Sequence, residues 1–209
     1  MIPARQALER LQKGNQRFVA ETRNPDAAGT RERRRELTDR QEPFAIILGC
    51  SDSRVPAELV FDQGLGDLFV IRVAGNIVAP SQIGSVEFAA SRFHTRLVVV
   101  LGHSNCGAIE ATLEELARPT GEQSRNLASI VDRIRPAVEG LMHTSLVHDH
   151  ARLCAAAVRS NIRVSANHLR HGSEVLEQLI AQEGLLIVGA EYSLDTGVVE
   201  FFDGMPDRA

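Results

Sequence analysis

Two short stretches hold the side chains best suited to chemistry: GCSDSRV, from Gly49 to Val55, and GHSNCGA, from Gly102 to Ala108. The first places a thiol, a carboxylate and a guanidinium (Cys50, Asp52, Arg54) within five residues, and the second places His103 three residues before Cys106. Thiolates and imidazole are soft-to-borderline ligands that suit Zn²⁺, and three protein ligands with a fourth position open is the arrangement of a catalytic zinc site. Asp52 could complete the tetrahedron. Alternatively, Arg54 could hold it in a bidentate pair, from which it would hydrogen-bond a metal-bound water. The residues alone leave other readings open. CSDSR could be a polar turn of Asx type, and His-x-x-Cys arises by chance. Cys106 and His103 could also form a nucleophilic dyad, which would leave Cys50, Asp52 and Arg54 without a role.

Any of these chemistries needs elements to bring the stretches together. Four apolar runs read as buried parallel strands: FAIILG (44–49), LFVIRVAG (68–75), RLVVVLGH (96–103) and LLIVGAEY (185–192). Each is short, rich in β-branched or aliphatic residues, and alternates with helical patterning, as in an α/β sheet covered on both faces. VVEFF (198–202), after the turn residues Asp195 to Gly197, could add an antiparallel edge strand. PAELVFDQ, SQIGSVEFAASRF and CGAIEATLEEL read as the intervening helices. Long helical patterning fills Leu127 to Gly184, with Ser173 as a cap and Gly184 as a stop. Ligands of parallel sheets gather beyond the carboxyl ends of the strands, where the strand order switches. Cys50 and His103 stand at two such ends. If those strands are neighbours, both stretches face one small volume.

The chain has 209 residues, enough for one self-sufficient core. The expected organisation is a single domain, with residues 1–40 an N-terminal helical arm that could lie across a partner subunit and 41–209 the α/β core. With 44% apolar residues, 24% charged and a formal charge of −4, nothing favours nucleic acid or an anionic membrane as partner. The N-terminus has no apolar signal region and no run is long enough to span a bilayer, so the cytoplasm is the expected compartment. Three cysteines, an odd number, argue against a disulfide framework. Cys154, in RLCAAAVRS, is expected to pack in the core as a small hydrophobe. HDH at 148–150, with His168 and His171, is expected to lie on a solvated helix face rather than to bind a second metal or relay protons.

CSDSRV followed by GHSNCGA resembles the β-class carbonic anhydrases, whose motifs are C-x-D-x-R and H-x-x-C. The likeness extends over QEPFAIILGCSDSRVPAE, GDLFVIRVAGN, GSVEFA, VVVLGHSNCGAI and GAEYSLDTGVV. The resemblance implies a mostly parallel sheet of about four strands plus an antiparallel edge strand, flanked by helices. It implies one Zn²⁺ per subunit, held by Cys50, His103 and Cys106, with Asp52 as a ligand in a closed state. The implied reaction is reversible hydration of CO₂ to bicarbonate and a proton by zinc-hydroxide attack, gated by the Asp52–Arg54 dyad. Hydrolysis of COS or CS₂ on the same fold, or a zinc-bearing interaction module without turnover, are the alternatives.

Carried over by position, Gln41 resembles the family glutamine that hydrogen-bonds substrate, reaching the site across a dimer interface. Phe69 and Ala74 fall where the family lines its apolar CO₂ pocket, and the Gly107 amide could donate to an anion. A homodimer or dimer of dimers is implied. RVAGN departs from the RNVAN of many relatives. Ile47 stands where a bicarbonate-inhibited subgroup has tryptophan, so no bicarbonate effector site is expected, although Arg72 and Tyr192 match other parts of it.

Overall fold

The computed structural model describes residues 2–24, 29–119 and 124–206. A five-stranded sheet runs in the order β2-β1-β3-β4-β5, built from β1 (Ala45–Gly49), β2 (Leu68–Arg72), β3 (Leu97–His103), β4 (Leu186–Tyr192) and β5 (Val199–Asp203). The first four are parallel and β5 is antiparallel to β4. β1 and β3 are neighbours, in register at Gly49 and Leu101. The chain leaves β1 to build β2 on one side and then β3 on the other, so the strand order switches beside the end of β1.

Every residue of β1 and β3 is buried, which is why these segments read as unbroken apolar runs. The period of two still divides them. Ile46, Leu48, Val98 and Val100 join one core with the helices α4 (Pro80–Arg92), α5 (Gly107–Ala117), α6 (Arg125–Val138), α7 (His150–His171) and α8 (Glu174–Glu183). Ala45, Ile47, Leu97, Val99 and Leu101 join the other, under α1 (Ala4–Val19) and the single turn α3 (Ala57–Val60). Arg31–Glu36, α2, is a short exposed helix in the arginine-rich stretch, with no buried residue.

α1 packs on this subunit's own sheet, through Ala4, Ala7, Leu8 and Leu11. Gly14 permits the approach, because a Cβ there would lie 1.8 Å from the Phe61 carbonyl oxygen. Next to it the buried Asn15 donates to the Gly197 carbonyl at 2.8 Å and accepts from the Val199 N–H at 2.8 Å, which pins the β4–β5 turn.

Ser173 and Gly184 cap α8 as expected, the serine accepting from Leu176 N–H and the glycine left-handed at φ 69°. Other boundaries differ from expectation. The helix expected over PAELVFDQ stops at Val60, because Asp62 turns to φ 48° and takes Arg17 Nε on its carboxylate at 2.6 Å. The strand expected to reach Gly75 ends at Arg72 and passes into a 3-10 turn over Ala74–Asn76. Within the long helical stretch from Leu127 to Gly184, α7 begins at His150, where Asp149 accepts from Arg152 N–H. Among the described residues no helix is long and apolar enough to cross a membrane.

Candidate metal centre

Strand adjacency delivers Cys50 and His103 to the same place: one follows the end of β1, the other ends β3. Cys106 is swung back to them by a tight loop. Asn105 takes φ 53°, the Ser104 N–H donates to Tyr192 O at 3.0 Å, and Ser104 Oγ accepts from Leu194 N–H at 3.0 Å. The ligand atoms of Cys50, His103 and Cys106 all lie within 4.8 Å of one another, in a trio that is wholly buried. It is the one such group among the described residues.

The trio fits a tetrahedral zinc ion. The two sulfurs are 4.0 Å apart; Zn–S bonds of about 2.3 Å at the tetrahedral angle set that edge at about 3.8 Å. His103 Nδ1 lies 2.9 Å from the Ser104 carbonyl oxygen. A carbonyl only accepts, so Nδ1 carries the proton and Nε2 is left as a bare lone pair. That Nε2 is buried with no hydrogen-bond partner, a costly state for a polar atom unless a cation meets it. The thiols point the same way. Hydrogen bonding with Cys106, helped by His103 and the backbone of Asp52 and Gly75, pulls Cys50 down to about 4. Cys106 is pushed up by Cys50 and by burial. The two sulfurs are thus shifted in opposite directions by each other, and a divalent cation between them would hold both as thiolates.

Asp52 and Arg54 meet in a forked ion pair. Arg54 Nε donates to Oδ1 at 2.9 Å, Nη2 donates to Oδ2 at 2.7 Å, and the Arg54 backbone N–H adds a bond to Oδ1 at 3.0 Å. These hydrogen bonds, above all the side-chain pair, hold the carboxyl well below the usual carboxylate range. Arg54 Nη2 also donates to the Asn105 carbonyl at 3.1 Å, joining the two motifs. Asp52 Oδ2 stands 3.8 Å from His103 Nε2, beside the trio but engaged with Arg54.

The remaining expected residues separate into those at the trio and those away from it. Gly107 opens α5 directly after Cys106, with open space where a Cβ would stand. Ala74 starts the 3-10 turn whose next residue touches Cys50. Gln41 is exposed and lines a different cavity, of ≈ 530 Å³, with Arg10, Glu42 and Phe93. Phe69 registers with Ile46 at the other end of β1, and its ring packs near Phe88 and Phe93. Neither meets the trio of its own subunit.

The structure adds residues that the motifs do not contain. The Gly75 N–H donates to Cys50 Sγ at 3.3 Å, and Asn161 Nδ2, from α7, fixes the same glycine by donating to its carbonyl at 2.8 Å. Gly75 sits at φ 70°, and a Cβ there would lie 2.8 Å from Ile134 Cδ1 and 3.2 Å from Ala108 Cβ. The glycine of RVAGN is therefore a requirement of this turn. Arg72 donates to the carbonyls of Cys50 and Asp52, at 3.0 and 2.7 Å, and clamps the first motif. Cys154, expected in the core, packs against it from a partly buried position. It lies beside His150 on α7, its sulfur 3.5 Å from Nε2, and His148, Asp149 and His150 are all exposed, as expected of a solvated stretch.

Residues 45–199 match the family model described as Carbonic anhydrase. The chain belongs to the carbonic anhydrase family. A carbonic anhydrase of Mycolicibacterium smegmatis is 38% identical over 204 residues, covering 96% of this chain and 94% of that one. Carbonic anhydrase 2 of Mycobacterium tuberculosis is 36% identical over 201 residues, covering 91% and 89%. The fold of this carbonic anhydrase is that of the β class. A β-carbonic anhydrase of Aspergillus fumigatus superposes with TM-score 0.75 at 21% identity, over 97% of this chain and 92% of the other. Tetrameric β-carbonic anhydrases from Sordaria macrospora give TM-score 0.71 at 21% identity, over 94% and 97%.

Proposed function

We propose that this carbonic anhydrase hydrates CO₂ reversibly to bicarbonate and a proton, with one Zn²⁺ per subunit held by Cys50, His103 and Cys106. The observation that carries the metal assignment is the buried, unpartnered Nε2 of His103 in one trio with two sulfurs. Bound there, Zn²⁺ supplies the Lewis acidity that makes water a nucleophile near neutral pH.

The protein's own groups aim and gate that chemistry. Asp52, kept ionised by Arg54, can only accept a hydrogen bond. It therefore holds a protonated oxygen beside the trio and turns that oxygen's lone pair toward CO₂. A bicarbonate oxygen without a proton finds no donor in Asp52 and leaves more readily. Arg54 keeps the carboxylate from closing on the trio as a fourth ligand. The Gly107 amide, at a helix start, is a donor for negative charge growing on the substrate oxygen.

Ala74 borders the trio from the side of Gly75, as a wall of the apolar CO₂ pocket. Gln41 and Phe69, distant from the trio of their own chain, serve the site of a second subunit, so the active form is a homodimer or a dimer of dimers. The tetrameric assembly described for the Sordaria macrospora relatives supports this reading.

Zinc counting together with stopped-flow CO₂ hydration from neutral to alkaline pH tests the proposal. One zinc per subunit and hydration that disappears with chelation is the expected result. A zinc-loaded protein that releases H₂S from COS but does not hydrate CO₂ would overturn the substrate. Asp52 found on the metal at every pH would overturn turnover itself.

A further inference from the structure

On the flank of the molecule, α5 and α7 face each other across a cavity of ≈ 250 Å³. His150 and Cys154 are one turn apart on α7 and share a face; Glu110 and Glu114 are one turn apart on α5. The sulfur of Cys154 lies 3.5 Å from His150 Nε2, and Glu110 Oε1 lies 3.5 Å from the same nitrogen. These separations are close to coordination edges. Zn–S of about 2.3 Å and Zn–N of about 2.0 Å at the tetrahedral angle give an S···N edge of about 3.5 Å, and two N or O ligands give about 3.3 Å. The lining has the sign a cation needs. Glu110 and Glu191 both line the cavity, and no lysine or arginine does among the described residues.

We propose that Cys154, His150 and Glu110 form a second site for a soft-to-borderline divalent cation, Zn²⁺ or Cd²⁺, separate from the buried trio. Cys154 binds as thiolate, releasing its proton to solvent, and His150 binds through Nε2. Glu110 binds through a carboxylate oxygen, with water completing the shell. One edge remains to be closed, that between Cys154 and Glu110, because only the buried trio already has every ligand atom within 4.8 Å of the others. Rotation of the Glu110 side chain closes it. Glu110 is 51% exposed and His150 65%, so neither is locked by packing. Cys106 lines the same cavity. A cation held there braces α5 and α7 next to the loop that carries the catalytic metal's own ligand.

Metal counting after equilibrium dialysis of the zinc-loaded protein against Zn²⁺ tests the site. Two ions per subunit are expected in the wild type and one in Cys154→Ser. Cys106→Ser, which removes a ligand of the buried trio and none of the three ligands of the second site, is also expected to hold one ion. His150→Ala, at an exposed position, should weaken the second ion at least tenfold and serves if Cys154→Ser folds poorly. Titration with Cd²⁺ gives an independent reading, a thiolate-to-cadmium absorption band that survives in Cys106→Ser and is lost when Cys154→Ser is added to that variant. A single ion in the wild type, or a second ion that persists in both Cys154→Ser and His150→Ala, overturns the proposal. Failure of the catalytic assignment would look different: Cys106→Ser would leave the metal count of the wild type unchanged.

Discussion

The two Cys–His groups of this chain differ in how much of the cost of holding a metal is met before the metal arrives. At the strand ends, Cys50, His103 and Cys106 are already dehydrated, and Nε2 of His103 has no other partner. On the α5–α7 flank, Cys154, His150 and Glu110 stand partly in water and must be drawn together. Backbone position explains the contrast. Strand termini and a helix start fix their side chains to a small volume, whereas residues on facing helices keep side-chain freedom that binding must remove.

Cutting the buried trio tests that contrast most directly. Cys106→Ser or His103→Ala should abolish both zinc at that site and CO₂ hydration, because either change leaves two ligands and an uncompensated buried group. Metal analysis and stopped-flow assay check this together. If either variant keeps stoichiometric zinc with measurable turnover, the trio is not the catalytic metal site.

Asp52→Asn asks whether a residue beside the trio acts without holding the metal. Asparagine keeps the size of the side chain but offers a donor where only an acceptor is useful. Zinc content should be retained and kcat should fall by about 10²–10³, the range seen when a preorganised charge-stabilising group is lost. Hydration at near-normal rates would remove Asp52 from the mechanism.

Gly75→Ala probes the support behind Cys50. An L-residue at positive φ costs about 1–2 kcal/mol, and crowding of Ile134 adds to it. A Tm lower by roughly 4–8 °C follows from about 2 kcal/mol in a chain of this size. The N–H bond to Cys50 Sγ shifts with the backbone, so zinc should also be held about tenfold less tightly. A Tm loss with unchanged zinc affinity would show that the turn matters only for folding.

How much of this was legible follows the same division between strands and helices. Buried parallel strands announce themselves as β-branched runs, and the rule that ligands gather at their carboxyl ends gave Cys50 and His103 one location once adjacency was assumed. Strand pairing then confirmed that adjacency. Helix periodicity, by contrast, gives a face but not what it faces. His150 could be placed on a helix, yet only the packing of α5 against α7 shows it turned toward Glu110. Asn161, 86 residues from Gly75, carries no local signal of its role, because the bond between them is wholly tertiary.

Behind Glu191, which lines the flank cavity, Arg159 is shared by two carboxylates whose pKa shifts run in opposite directions. Glu200 is exposed, and the hydrogen bonds from Arg159 at 2.8 and 3.0 Å lower its pKa. Glu191 is more enclosed, and burial raises its pKa despite the same arginine. The signs follow from linkage. A lowered pKa means that Glu200 stabilises the fold above its unfolded value, about 4.3, and loses that contribution as pH falls through the folded value. A raised pKa means that ionising Glu191 costs stability, a cost absent in acid and complete once pH has risen past the folded value. Glu200→Gln should therefore lower Tm at pH 7 and Glu191→Gln should raise it, each by no more than about 1 kcal/mol equivalent. Both differences should vanish in acid, where the wild-type carboxyls are protonated too. Thermal melts of the two variants at neutral and acid pH decide it. Shifts of the same sign at pH 7 would mean that Arg159, rather than burial, governs Glu191, and that Glu191 is as well solvated as the surface around Glu200.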